Sequence, residues 1–165
     1  MIRVIVLLAA VVASVYPAKA SGPAVVTAGL GMYDFIPNDN RAPALHLQYR
    51  FSDDVGSRGE FLGLRPLIGG MVNGDKGAFG FAGLAAPFMV GGIEIEPSAG
   101  VGAYHRGDST NLGGTFEFHL GLGAAKRIGD GVRLGVAMTH ISNANLHRKN
   151  RGTNVLMVTL GRELR

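Results

Sequence analysis

One short stretch of the chain crowds together a possible base, a possible nucleophile and several amides. It is Thr139-His140-Ile141-Ser142-Asn143-Ala144-Asn145, followed by His147-Arg148-Lys149 and by Asn150-Arg151-Gly152-Thr153-Asn154. Side chains two residues apart on a strand share a face. His140 and Ser142 can therefore approach one another, the minimum for a serine nucleophile activated by a histidine base. Such a base needs an acceptor on its other ring nitrogen. Asn154 can supply it if the strand it opens lies beside the strand of His140. The amides of Asn143, Asn145 and Asn150, or backbone N–H groups of the loop, could donate to an oxyanion. A Ser-His pair alone is a weak signal, since two polar residues at a rim read the same way. The fold has to decide.

Val132 to Met138 alternates, with Val132, Leu134, Val136 and Met138 on one face, and His140 and Ser142 continue that apolar stripe. Seven further segments of about this length follow from the same pattern. They are Ala24 to Tyr33, Ala44 to Phe51, Leu62 to Val72, Ala78 to Met89, Gly92 to Tyr104, Thr115 to Ala125 and Asn154 to Leu164. Between them stand turn-forming clusters such as Ser52-Asp53-Asp54, Asn73-Gly74-Asp75-Lys76-Gly77, Arg106-Gly107-Asp108-Ser109 and Gly129-Asp130-Gly131. Asp130-Gly131 between two alternating runs is a strong hairpin signal. Helical periodicity is weak, and 26 glycines argue against helices. The expected fold is all-β, an eight-stranded antiparallel barrel.

The side that is apolar decides the kind of barrel. Opposite the Phe/Leu stripes lie His46, Gln48, Arg50, Glu94, Glu96, Glu117, His119 and many glycines. Charges of both signs with small residues suit a narrow polar lumen, and the apolar stripes then face lipid. The expectation is an outer-membrane barrel; the competing reading is a soluble barrel with a lipid inside. His46 and His119 are expected to hydrogen-bond in the lumen rather than bind metal.

Residues 1–20 read as a cleavable signal peptide. Arg3 gives a basic start, Val4 to Tyr16 is an apolar run of 13 residues, and Ala18-Lys19-Ala20 places small residues at the cleavage positions. That run is too short for a spanning helix. Residues 21–165 then form a single barrel domain. Without Arg3 and Lys19 the formal net charge falls from +4 to +2, which gives no reason to expect a nucleic-acid partner. The chain has no cysteine, which excludes disulfides, thiolate metal sites and cysteine nucleophiles. No cofactor and no metal is expected.

With eight strands both termini fall on the periplasmic side, so the region from Thr139 to Asn154 lies at the extracellular rim. By parity His140, Ser142 and Asn154 face the outer leaflet. A polar pair exposed to lipid is costly without a purpose.

The run His140-Ile141-Ser142-Asn143-Ala144 on the penultimate strand resembles the His-x-Ser-Asn-Ala signature of the PagL lipid A 3-O-deacylase family, the acyloxyacyl hydrolases. The resemblance is specific over about residues 132–160 and architectural elsewhere. It implies an eight-stranded outer-membrane barrel with a Ser-His-acid triad on its lipid-facing surface. It implies Ser142 as nucleophile and His140 as base, with Asn143 and Asn150 as oxyanion or site-shaping residues. Where the family has its acid, this sequence has Asn154, so the third catalytic position is an amide. Asn154→Glu is accordingly expected to be neutral or activating. The basic run Arg148, Lys149 and Arg151 could contact the phosphates of lipid A or lipopolysaccharide in the outer leaflet; ordinary charged loops would read the same way. Pairing of two copies is left open. The leading expectation is a serine esterase that removes an ester-linked acyl chain from lipid A. The rival is a non-catalytic small barrel that binds lipopolysaccharide or serves adhesion.

Overall fold

The computed structural model describes residues 22–36, 39–52 and 64–164. The expected signal segment 1–20, the Asp53-Asp54 turn and the start of the third strand at Leu62 lie outside the described residues. Among the described residues nine strands run in chain order: β1 (Ala24–Tyr33), β2 (Ala42–Arg50), β3 (Arg65–Asn73), β4 (Ala78–Ala85), β5 (Phe88–Val90), β6 (Ile93–His105), β7 (Phe116–Gly129), β8 (Val132–Ser142) and β9 (Thr153–Leu164). All pairings are antiparallel, β1 pairs with β9, and β4 pairs with β6, so eight strands close into a barrel. Closure gives each wall strand a partner on both sides and leaves no bare edge.

The fourth expected segment, Ala78 to Met89, is broken. The wall strand stops at Ala85, two residues before Pro87, which has no N–H to give to a ladder. The three-residue β5 resumes against β6 alone. The Asp130-Gly131 hairpin is present, with Gly131 at φ 68°, a conformation that a side chain resists.

Alternation separates two environments. Leu134, Val136 and Met138 of β8, and Leu156, Val158 and Leu160 of β9, are exposed outward, while Thr139, Ile141, Val155 and Met157 are buried inward. Leu45, Leu47, Ile68 and Leu122 extend the outer apolar band around the wall. The lumen is polar at both ends, with a ring-stacked layer between them. Arg50 pairs with Glu94 and Glu96, Arg133 pairs with Glu94 and Glu163, and Gln48 donates to Glu96 at 2.9 Å. Above them Phe81 stacks on His119 with ring centroids 4.1 Å apart, and His119 Nε2 meets Ser98 Oγ at 3.1 Å. His46 stacks on the other side of this layer, and its ring nitrogens have no hydrogen-bond partner among the described residues. It is thus a stacking residue where a lumenal hydrogen bond was expected. The rings fit because a Cβ at Gly69 would come within 2.6 Å of Phe81, and one at Gly102 within 2.7 Å of Phe79. This polar lumen and apolar exterior are the reverse of a soluble lipid carrier.

The other mouth is closed by the loops between strands. Tyr33 and Tyr104 meet hydroxyl to hydroxyl at 2.9 Å, and Tyr104 donates to Thr110 O at 2.8 Å. Asn73 Nδ2 donates to Ser109 Oγ, and the exposed Lys76 pairs with Asp108 at 2.8 Å. That hydrogen bond and charge hold the Asp108 carboxyl below its ordinary range. The loop that carries the Asn-rich motif sits at this end.

Candidate active site

His140 and Asn154 are direct cross-strand partners of β8 and β9. Such partners stand about 5 Å apart at Cβ, close enough for their side chains to bond. His140 Nδ1 lies 3.0 Å from Asn154 Oδ1. The amide's orientation is fixed from its other end, because Asn154 Nδ2 donates to the backbone carbonyl of Ile36 at 2.5 Å. A carbonyl can only accept, so the nitrogen must face Ile36 and the oxygen must face the imidazole. His140 therefore carries its proton on Nδ1 when neutral, and Nε2 is left as the basic nitrogen.

Ser142 follows on the same outward face. Its hydroxyl has no hydrogen-bond partner among the described residues. The expected approach of Ser142 and His140 is met as a shared face without a bond between them; catalytic bonds in unliganded sites are often long and tighten with substrate. Across β7, Phe118 stands opposite Ser142 and Leu120 opposite His140. Phe116 and Phe118 meet edge to face with centroids 5.4 Å apart. An apolar ridge thus flanks the two polar side chains on the outside of the wall.

Gly152 closes the other flank. It has φ 66°, and a Cβ there would lie 2.9 Å from His140 Cε1. Both facts disfavour a side chain: the left-handed backbone strains one, and its Cβ would press on the imidazole.

The two asparagines of the loop are structural ties. Asn143 is fully buried; its Nδ2 donates to Leu112 O at 2.6 Å and to Lys149 O at 2.7 Å, and its Oδ1 accepts from Asn145 N. Asn150 Oδ1 accepts from the Asn143 backbone N–H at 3.2 Å, and its Nδ2 donates to Asn145 Oδ1 at 2.9 Å. With both side-chain amide hydrogens on carbonyls, Asn143 shapes the site in this conformation and has none left for an oxyanion. Ala144 and Asn145 take φ 52° and 70°, an uncommon left-handed pair that turns the chain sharply after Ser142.

The basic run divides. Arg148 and Lys149 are exposed, and their side chains make no polar contact among the described residues. Arg151 does not belong with them. Its guanidinium reaches Asp34 at 3.1 Å and Asp39 at 2.9 Å. Two carboxylates answer its charge, and it ties the loop to the end of β1. Among the described residues no group of three His, Asp or Glu side chains is arranged to hold a metal ion.

Asp34, Ile36 and Thr153 were not singled out in the sequence. Asp34 lies far from Asn154 along the chain, yet Met32 pairs with Leu156, and two residues further the same register sets Asp34 against Asn154. The signal was barrel closure, which makes the end of the first strand a neighbour of the start of the last. Strand parity would turn Asp34 outward; its φ of 53° turns it inward to full burial.

The family model for "Lipid A 3-O-deacylase (PagL)" matches residues 69–163. Among solved structures the chain resembles "the outer membrane enzyme PagL", with a TM-score of 0.61, 22% identity, and coverage of 85% of this chain and 99% of that one. A de novo designed transmembrane β-barrel gives a TM-score of 0.57 at 14% identity, covering 87% of this chain and 96% of the design. Neisserial surface protein A gives 0.56 at 10% identity, covering 88% and 98%. At these identities the structural likenesses speak for the fold alone. No curated protein sequence matches the chain.

Proposed function

Since the chain belongs to the PagL lipid A 3-O-deacylase family and is a barrel of the bacterial outer membrane, we propose that it is a serine esterase that removes an ester-linked acyl chain from lipid A. Ser142 attacks the ester carbonyl while His140 Nε2 takes its proton. The protonated His140 then gives that proton to the departing sugar oxygen, leaving an acyl-serine. Water, activated by His140, releases the fatty acid and restores Ser142. Asn154 orients the imidazole as a neutral acceptor. All three residues come from one chain, so the reaction needs no second copy.

The observation that carries this reading is the His140–Asn154 bond on the outer wall, with Ser142 on the same face beside the Phe116–Phe118 ridge. A lipid in the leaflet brings its acyl chain along that ridge without leaving the membrane. The Asn143 N–H adjoins the nucleophile, and its 3.2 Å bond to Asn150 is the longest of those that tie Asn143; exchanged for a tetrahedral oxyanion, it supplies a donor. Arg148 and Lys149 meet the phosphates at the headgroup level. Residues 1–20 serve as the export signal of a barrel domain that spans 21–165, and the N-terminal sequence of the mature protein checks that cleavage.

The test uses purified protein in detergent with lipopolysaccharide, reading free fatty acid by mass spectrometry. The wild type should release one fatty acid species and Ser142→Ala none. Equal release by both, or none by either, favours the non-catalytic barrel.

A further inference from the structure

We propose that Asp34 is a positioning residue for His140, acting through the β1–β2 loop, and that this loop selects an amide over an acid at position 154. The proposal rests on the reading of His140 as the base. The Asp34 carboxylate is fully buried and collects three donors: Thr153 Oγ1 at 3.0 Å, the Asn40 backbone N–H at 3.0 Å and Arg151 Nη2 at 3.1 Å. One donor comes from β9, one from its own loop and one from the β8–β9 loop. A single side chain therefore fastens three segments around the start of β9. A buried carboxylate so satisfied is rigid, because losing a donor leaves an acceptor unsatisfied in a dry place, and losing Arg151 removes its countercharge as well.

The next two residues deliver that rigidity to the site. Phe35 N–H donates to Asn154 O at 2.9 Å, and Ile36 O accepts from Asn154 Nδ2. Asn154 is held by its backbone and by its side chain, both through the segment that Asp34 anchors. Its remaining amide oxygen is what His140 Nδ1 meets. The path from Asp34 to the imidazole is a continuous series of bonds in which each atom has one role.

This geometry also bears on the missing acid. A carboxylate at position 154 has no hydrogen to give Ile36 O, so an oxygen would face an oxygen at the place where the amide nitrogen now bonds. An acid must turn away from Ile36 or displace the loop, and either moves it off His140. The expectation that Asn154→Glu is neutral or activating is therefore reversed: Asn154→Asp and Asn154→Glu should both lower the rate.

The experiment combines nitrogen NMR of the full chain labelled with ¹⁵N-histidine in micelles with deacylation kinetics on lipopolysaccharide. His140→Gln identifies the His140 signals. At a pH where the ring is neutral, the wild type should show the proton fixed on Nδ1. Asp34→Asn and the milder Thr153→Val should give a mixture of the two tautomers, with kcat lower by about tenfold to 100-fold and KM little changed. Asn154→Asp should fall in rate by a similar factor. Folding of each variant is checked by the gel mobility of the unheated barrel. Folded Asp34 and Thr153 variants with the wild-type tautomer and rate would overturn the positioning role. An Asn154→Asp variant as fast as wild type would overturn the selection of an amide. A wild type with the fixed tautomer but no deacylation, whose tautomer scrambles in Asp34→Asn, supports the clamp and refutes the esterase reading.

Discussion

At the Asp130-Gly131 end of the barrel, Arg50 and Arg133 face Glu94, Glu96 and Glu163 inside the lumen, each charge answered by the opposite one. At the far end, His140 faces Asn154 on the outside of the wall, and Asn143, Asn145 and Asn150 knit the loop beside it through neutral amides. Both are polar clusters in a molecule whose surroundings are apolar. The lumenal one is enclosed, so charge pairs can replace the lost water. The outer one is half open to lipid and headgroups, so it is held by hydrogen bonds that need no countercharge. The first is enclosed and charge-paired; the second leaves one imidazole nitrogen and one hydroxyl facing outward without partners among the described residues.

Substitutions at the two ends should separate chemistry from stability. Ser142→Ala should lower deacylation by about 10⁴-fold, roughly 5 kcal/mol of transition-state stabilisation, with no change in the unfolding midpoint. Arg50→Ala should do the opposite. It leaves Glu96 without a countercharge and Glu94 with Arg133 alone, and should lower stability by about 3–5 kcal/mol in denaturant titrations, while the turnover of the molecules that remain folded is unchanged. If Arg50→Ala cut turnover without loss of stability, the division between the two ends would fail. Gly152→Ala lies between these cases. The left-handed backbone costs about 1–2 kcal/mol with a side chain, and the new Cβ presses on His140 Cε1, so both the midpoint and kcat should drop. The smallest effect should come from Arg148→Ala and Lys149→Ala, each about 0.2–1 kcal/mol seen as a raised KM that vanishes at high salt.

Much of the wall was legible because alternation has only one period to read. The outward set of Leu134, Val136, Met138, His140 and Ser142 follows from counting by two, and so does the inward set of Arg50, Glu94, Glu96 and His119. The Asp130-Gly131 turn was legible from its turn chemistry. The break at Pro87 was within reach, since a proline in a wall strand is a warning, yet the segment around it stayed apolar enough to read as continuous. The loops were less open to reading. Arg151 looks like its neighbours Arg148 and Lys149 in the sequence, and only the closed barrel brings Asp34 and Asp39 to it. The Asn143 side chain looks like an oxyanion donor until its two carbonyl partners are seen, which leave that part to its backbone N–H. Asp34 was hidden twice, by its distance along the chain and by a left-handed backbone that reverses its parity.

Whether the outward-facing Ser142 acts on the lipid beside it is tested most directly by mass spectrometry of lipid A from cells that make the wild type, Ser142→Ala, or neither. The wild type should shift lipid A down by the mass of one acyl chain, and Ser142→Ala should leave it as in cells without the protein. An unchanged lipid A in cells with folded wild-type protein, or the same shift with Ser142→Ala, would contradict it.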